Sequence, residues 1–577
     1  MVNITINNVN ISVPKEYTIL EAAETLNIKI PTLCHLDLHN IKFVNKVASC
    51  RACVVEVEGR RNLAPSCSTP VYEGMVVHTS TLRAVRARRT MVELLVSDHP
   101  KDCLVCLKNQ ECELQTLSHD LGVKQIRYEG EMSLFPIDNS SKAIYRDTSK
   151  CVLCRRCETM CNDVQTVYAL SGLDRGFKTA VGPAFHQPMV DSTCTFCGQC
   201  VAVCPTGALT EVDNVPKVWR ALGDKKKTVV VQVAPAVRVA IGELFGFEPG
   251  TVVTGKMVSA LKSLGFDYVF DTNFAADLTI MEEAHEMINR ITENKNLPIL
   301  TSCCPAWVKF FEHQFPDLLN IPSTCKSPHE MFGVVAKHYF AKKINVKPED
   351  MTVISIMPCI AKKYEAGRPE LATEGVRDVD VVITTRELGR MIKEAGINFA
   401  LLPDEDYDNP LGESTGAGTI FGATGGVIEA ALRTASEQLA GKALEKVDFH
   451  EVRGMEGLRE ASVVVGNLTL NIAIANGLGN ARELLENIRQ GKANYHAIEI
   501  MACPGGCIGG GGQPYHHGDL EILKKRAAGI YSIDERKVSR KSHENEAIQT
   551  LYKEFLGEPG GELAHKYLHT TYFEREK

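Results

Sequence analysis

The chain has 577 residues, 44% hydrophobic and 23% charged, which is enough apolar material for several cores and too much for one domain. Nowhere do about 18 apolar residues run together, and Met1–Asn10 has neither a basic start nor an apolar stretch. With a net charge of -7, basic runs no longer than Lys225–Lys227 and twenty-one cysteines, the chain reads as a soluble, cytoplasmic metal binder in a reducing compartment. A secreted disulfide protein or a nucleic-acid binder fits less well.

Val2–Val13 alternates apolar and polar residues around Asn7-Asn8, which predicts a hairpin with a tight polar turn opening a small β-rich domain. Within that domain, Cys50-x2-Cys53 lies between the more distant Cys34 and Cys67. Four thiolates so placed can hold a [2Fe-2S] cluster, and the arrangement resembles plant-type ferredoxin domains with different loop lengths. A zinc site would use the same four sulfurs. Leu82–Val96 has helical periodicity and ends before Pro100. Cys103, Cys106 and Cys112 follow and leave one corner of a cubane unfilled. His99 can fill it through an imidazole nitrogen, the alternative being a structural histidine. A neutral ligand in place of an anionic thiolate should raise that cluster's potential. The segment looks like one found in the large peripheral iron-sulfur subunit of respiratory complex I and in modular [FeFe]-hydrogenases.

Two copies of the bacterial ferredoxin run come next: Cys151-x2-Cys154-x2-Cys157-x3-Cys161 and Cys194-x2-Cys197-x2-Cys200-x3-Cys204-Pro205. The fourth cysteine of each run crosses to the other cluster. Cys151, Cys154, Cys157 and Cys204 are therefore expected to hold one [4Fe-4S] centre, and Cys194, Cys197, Cys200 and Cys161 the second. Asn162 stands where the first copy would carry its proline.

From Val229 onward, short apolar strands alternate with amphipathic stretches, as in an α/β domain with buried parallel strands. Val229–Val233 runs into Ala234-Pro235, and Pro298–Leu300 into Thr301-Ser302-Cys303-Cys304-Pro305. Val353–Ile356 runs into Met357-Pro358-Cys359, and Ile498–Ile500 into Met501-Ala502-Cys503-Pro504-Gly505-Gly506-Cys507. Ligands bind beyond the carboxyl ends of such strands, so the four ends predict one site. Cys304, Cys359, Cys503 and Cys507 fit a buried [4Fe-4S] cluster. The glycines Gly505-Gly506 and Gly509–Gly512 are expected to let backbone approach a bulky inorganic group.

These three cysteine motifs resemble those of the [FeFe]-hydrogenase family, and the resemblance covers essentially the whole chain. It implies an H-cluster: a [4Fe-4S] cluster bridged through Cys507 to a di-iron centre bearing CO, cyanide and an azadithiolate, where protons are reversibly reduced to H2. By the same match, Lys362 would hydrogen-bond a cyanide, and Ala234, Pro235, Met357, Phe421, Gly422 and Met501 would line the di-iron pocket. Cys303 would deliver protons. Glu283, Glu286 and Arg290 share a helix face, a solvated stripe on composition alone, and with Ser323 joining the carboxylates the resemblance makes them the proton relay. Cys325 is expected to be an apolar buried thiol.

Ala236, His329 and Pro504 depart from single-chain clostridial members, which carry serine, glutamine and histidine there. Together they look like the catalytic subunits of multimeric NAD(P)-linked, often electron-bifurcating, hydrogenases. The nearest P-loop, Gly250–Met257, lacks the hydroxyl residue, and Gly416-Ala417-Gly418 misses the dinucleotide spacing. A nucleotide would therefore be held by a flavin-containing NAD(P)H-oxidising partner, accompanied by a small iron-sulfur subunit, with ferredoxin as a further electron partner.

The expected fold is an α+β multidomain chain. A β-grasp ferredoxin-like domain spans 1–80, a small helical His/Cys cluster domain 81–145 and a two-[4Fe-4S] ferredoxin domain 146–215. A two-lobed α/β H-cluster domain covers 216–513, with a small-subunit-like tail at 514–577. The cofactor set is the H-cluster, one [2Fe-2S] and three accessory [4Fe-4S]. A non-catalytic electron carrier would have no use for the Cys303-Cys304 pair, and an iron-sulfur assembly scaffold would lack the relay and most accessory clusters.

Overall fold

Asn7 (φ 47°) and Asn8 (φ 68°) both take the left-handed conformation that a two-residue hairpin turn demands. They join β1 (Val2–Ile6) to β2 (Val9–Val13), as their alternation predicts. In this computed structural model, residues 1–38, 43–45, 47–441, 443–444, 446–465 and 468–575 are described. They divide into two compact units.

The first unit comprises Met1–Asp163, Tyr168–Ser192 and Val203–Thr210. With β3 (Val54–Val57), β4 (Ala64–Pro65) and β5 (Val76–His78), the hairpin forms a five-stranded sheet in the order β2-β1-β5-β3-β4. The β1–β5 pair is parallel, and α1 (Ile19–Glu24) is fixed by a capping box of Thr18 and Glu21. Ile4, Ile6, Leu20, Val55 and Val77 form the core, which Cys53 and Cys67 join. Cys34 and Cys50 belong to an adjoining cluster with Val92 of α2 (Leu82–Ser97) and Leu114 and Leu117 of α3 (Glu113–Asp120).

The second unit comprises Val164–Val167, Thr193–Ala202 and Glu211–Lys577. Its strands are β6 (Thr228–Val233), β7 (Tyr268–Asp271), β8 (Ile299–Leu300), β9 (Met351–Met357), β10 (Val381–Thr384), β11 (Leu458–Val465), β12 (Leu468–Asn476) and β13 (Ala497–Met501). They form two four-stranded sheets, β7-β6-β9-β10 and β8-β13-β12-β11. The first is parallel throughout, and in the second only the β11–β12 pair is antiparallel. The four strand ends, three with cysteine motifs and one with Ala234-Pro235, are thus shared between two sheets, two ends in each.

The long helix α4 (Thr272–Glu293) explains how two sheets make one site. Phe274, Ala275 and Leu278 enter the core of the first sheet, while Ala276, Ile280, Ala284 and Met287 enter the core of the second. It packs against both α6 (Pro328–Val335) and α8 (Gly426–Ala440). A helix apolar on two faces can cement two lobes, and any polar residue it carries is then internal. After α9 (Leu520–Arg536), the tail forms α10 (Glu546–Leu551), which continues as a π turn to Leu556, and α11 (Glu562–Leu568). The tail then pairs with the central chain through a Cys325–His569 bridge. Among the described residues, no helix is long and apolar enough to cross a membrane.

Candidate active site

α5 (Pro305–Gln314) starts directly after Cys304, so its free amides point toward that sulfur, and the Ala502 N–H donates to Cys304 Sγ at 3.4 Å. Cys359 stands between β9 and α7 (Ala361–Glu365), and Cys503 and Cys507 lie on the loop after β13. Burial, and then the charges of Cys304 and Cys507, push the Cys359 thiol up; Cys507 is pushed up to about 12, by burial and next by Cys304. Cys503 is raised by burial and by all three of these sulfurs. Four thiols in one buried set cannot ionise together without a shared cation, which is the donor chemistry an iron-sulfur cluster requires.

Gly505 (φ +75°) and Gly506 (φ +91°) shape the Cys503–Cys507 turn, where the Gly506 N–H donates to Cys503 O at 3.0 Å. The space beside the glycines belongs to other stretches of chain. A Cβ on Gly506 would fall 2.6 Å from Thr424 N, one on Gly510 2.2 Å from Pro358 O, and one on Gly511 2.7 Å from the Gly198 carbonyl. Gly506, Gly510 and Gly511 thus bring backbone against backbone. Ala234, Pro235, Met357, Phe421, Gly422 and Met501 are all buried, with Ala234 and Met357 in one core and Phe421 and Met501 in the other. The Ile508 N–H donates to Gly422 O at 3.0 Å, which holds the Cys507 loop to the Phe421–Gly422 turn within the second core.

Glu283 and Glu286 project from the C-terminal half of α4. Neither carboxylate oxygen of Glu283 accepts a well-aligned hydrogen bond, although the Ser302 amide and Ser323 hydroxyl lie close enough to bias it. Burial, and next the charge of Glu286, push its carboxyl up to about 8. Burial also raises the neighbouring Cys303 thiol well above its ordinary value, and Glu283 is the next cause. Ser323 Oγ donates to Glu286 Oε2 at 2.9 Å, the Thr324 N–H to the same oxygen at 3.2 Å, and Arg290 Nη2 to Glu286 Oε1 at 2.5 Å. Tyr572 of the tail donates to Ser323 O at 2.6 Å. Lys362 Nζ donates to Cys303 O at 3.1 Å and to Glu365 Oε2 at 2.7 Å, leaving one of its three N–H donors for a further acceptor. Cys325 is buried in the first core, as expected.

Three residues with a part here escaped the sequence. Glu365 sits three positions after Lys362, a helical ion-pair spacing that could have been read. Lys309 donates to Cys194 O at 2.6 Å, and Tyr572 reaches Ser323; no local pattern marks either.

The accessory cysteines are placed as follows. Cys53 and Cys67 have their sulfurs 3.3 Å apart, and Cys34 shares protons with Cys50 and Cys67, which pulls Cys34 down and pushes Cys50 and Cys67 up. Cys151, Cys154, Cys157 and Cys204 line one crevice of about 20 Å³. Cys194, Cys197 and Cys200 fold within the second unit, where the Gln199 side chain donates to Gly509 O at 3.0 Å and Cys197 senses the charge of Cys304. Cys161 belongs to the first unit. Cys106 and Cys112 are close enough for their charges to interact, Cys103 is exposed, and burial lowers the His99 imidazole.

Two sheets that bring four thiols to one centre, with a buried carboxyl and its half-buried partner on the helix between them, define an iron-sulfur oxidoreductase that handles protons as well as electrons. The chain belongs to the iron-only hydrogenase family and is an oxidoreductase acting on hydrogen at an H-cluster domain. Residues 227–511 match the iron only hydrogenase large subunit, C-terminal domain, and residues 520–575 the iron hydrogenase small subunit. Residues 1–82 match a 2Fe-2S iron-sulfur cluster binding domain, 88–127 the NADH-ubiquinone oxidoreductase-G iron-sulfur binding region, and 141–210 the ferredoxin-like domain of NADH-quinone oxidoreductase subunit 3. The chain is 60% identical to the NADP-reducing hydrogenase subunit HndD of Solidesulfovibrio fructosivorans, covering 100% of both. It is 41% identical to iron hydrogenase 1 of Clostridium pasteurianum, over 99% of this chain and 100% of that one. A solved variant of HydA1 from Chlamydomonas reinhardtii superposes with a TM-score of 0.57 at 44% identity, covering 63% of this chain and 99% of that one.

Proposed function

We propose that this hydrogenase moves protons along Arg290, Glu286, Ser323, Glu283 and Cys303, and exchanges its electrons through accessory clusters with a flavin-containing, NAD(P)-linked partner. The observation that carries the reading is the buried Glu283 carboxyl, pushed up to about 8, whose charge in turn raises the neighbouring Cys303 thiol. A group with its proton affinity there can both take up and give back a proton at working pH. Glu286 receives the Ser323 hydroxyl on one oxygen and Arg290 on the other, so it is oriented at the outer end, and Ser323 passes the proton inward. Tyr572 fixes the Ser323 carbonyl and with it the hydroxyl's reach. Cys303 Sγ holds the proton at the inner end.

Cys304, Cys359, Cys503 and Cys507 would hold the H-cluster, Cys507 serving both of its parts, and Lys362 would offer its remaining N–H to a cyanide. When bound, that group, with its CO, cyanide and azadithiolate ligands, supplies the reversible conversion of two protons and two electrons into H2. Ala234, Pro235, Met357, Phe421, Gly422 and Met501 keep its pocket dry. One [2Fe-2S] on Cys34, Cys50, Cys53 and Cys67 and three [4Fe-4S] centres complete the set. Of these, one rests on His99, Cys103, Cys106 and Cys112, one on Cys151, Cys154, Cys157 and Cys204, and one on Cys194, Cys197, Cys200 and Cys161. The 60% identity to an NADP-reducing hydrogenase subunit supports the nucleotide-linked partner. Ferredoxin as a second partner would allow electron bifurcation in the cytoplasm.

Infrared spectroscopy of the anaerobically matured protein tests the centre, since only a di-iron site gives bound CO and cyanide stretches. Cys303→Ser should keep those bands and lose about 10²- to 10⁴-fold in turnover, the worth of a positioned proton donor. A variant with near-normal turnover would remove Cys303 from the route.

A further inference from the structure

α6 opens with two titratable side chains sealed from solvent, His329 at 1% and Glu330 at 0% exposure. The His329 Nδ1–H points at Glu365 Oε2, 2.8 Å away. Glu330 Oε1 lies only 3.0 Å from the same nitrogen but receives no hydrogen bond, and neither does its second oxygen. His329 Nε2 is likewise without a partner among the described residues. An ionised carboxylate in this position is costly, so Glu330 is a place where a proton is held, and the bare Nε2 is a place where another can be added.

Glu365 connects this pair to the catalytic centre, because its Oε2 accepts both the His329 ring and the Lys362 ammonium, the latter at 2.7 Å. Lys362 in turn donates to Cys303 O. The other charges facing the pair are Asp378, bound to Lys326 at 2.8 Å, and Arg368, bound to Glu312 at 2.6 Å. α4 meets α6 here through Thr279 and Met331, and the His329 carbonyl accepts the Gln232 side chain at 2.9 Å. Lys362 with Glu365 and Lys326 with Asp378 are balanced pairs, so the variable charge falls on His329 and Glu330. Solvent has a way in: a crevice of about 20 Å³, room for one water, is lined by Ser302, Lys326, Ser327, Glu365, Arg368 and Tyr572.

We propose that His329 and Glu330 form a proton-binding couple that takes up one proton from solvent when one electron reaches the catalytic centre, and that positions Lys362 through Glu365. The inference rests on the reading of Lys362 as a residue facing the H-cluster. The electron arrives from the accessory clusters and the proton enters past the crevice and Glu365, so the buried region keeps its net charge and reduction is easier at low pH. Burial raises Glu330, and against burial Glu330 and Glu365 raise His329, so each group gains affinity for the incoming proton. His329 acts through Glu365 and Lys362, which makes it a positioning residue.

The test is a redox titration from pH 6 to 9 of the matured enzyme and of His329→Gln and Glu330→Gln, followed by infrared for the di-iron bands and by electron paramagnetic resonance for the adjoining cubane. The wild type should show midpoint potentials that move by as much as about 59 mV per pH unit, the tenfold equivalent for one electron, over part of that range. Either variant should flatten that slope while keeping its CO and cyanide bands and its melting temperature. Equal slopes in all three proteins would overturn the couple. Should Glu330→Gln fail to fold, His329→Gln decides alone. A wild type without CO and cyanide bands would sink the parent reading, and the cubane titration would still decide the couple.

Discussion

Glu283, the inner carboxyl of the proposed proton route, also bears on the stability of the catalytic unit. Its carboxyl sits at about 8 against an ordinary value of 4.5, because burial and the charge of Glu286 oppose ionisation. Between those two values the folded chain keeps a proton that the unfolded chain has released. Stability is therefore full below about 4.5 and drains away as pH rises through about 8, at a slope near 1.4 kcal/mol per pH unit. Glu283→Gln should remove that loss, raising the melting temperature at pH 8 and leaving it unchanged at pH 4.5, while turnover collapses. Thermal melting at the two pH values, run beside an H2 assay, checks both halves. His99 allows a second test. His99→Cys should lower the potential of its cluster and slow NAD(P)-linked turnover while dye-linked hydrogen evolution stays within about twofold, and an unchanged spectrum for that cluster would exclude ligation.

At the scale of elements, buried ion pairs hold the loops that carry the cysteines. Lys363 of α7, four residues after Cys359, meets Glu387 at 2.7 Å with both side chains fully buried. Glu387 is also the third residue of the helix Thr385–Glu394, where it completes a capping box with Thr384. Glu387→Ala strips the cap and strands a buried ammonium, so the catalytic unit should lose about 3–5 kcal/mol; a Lys363→Met, Glu387→Met double replacement should recover most of it, by calorimetry. Much at this level was legible in the sequence. The hairpin turn at Asn7-Asn8, the helix Leu82–Ser97 and the strands before each cysteine motif follow from local pattern, which obeys short-range geometry. The split of those strands between two sheets was not legible, because β8 is only two residues long and its partner β13 lies almost two hundred residues away. His329 drew notice only as a departure from the clostridial pattern, and the chain gives no local sign that Glu330 and Glu365 would meet it.

For the whole molecule, residues 1–80 carry ligands for one cluster and none of the catalytic unit. Their removal should leave hydrogen evolution from a reduced dye within about twofold and nearly abolish turnover with the NAD(P)-linked partner; equal loss of both activities would show that the segment serves folding instead. The segment Thr193–Ala202 behaves differently, because it folds with the catalytic unit, held by Lys309 on Cys194 and by Gln199 on Gly509. A methyl group on Gly198 would collide with the Ile360 side chain beside Cys359, and one on Gly511, past Cys507, would collide with the Gly198 backbone. Under the proposed ligand set, three of the four cysteines of the last relay are thus anchored within the catalytic unit. Tunnelling falls steeply with separation, so evolution can lengthen, swap or re-aim the upstream wiring for new redox partners while the spacing of the final jump stays locked to the furnace it feeds.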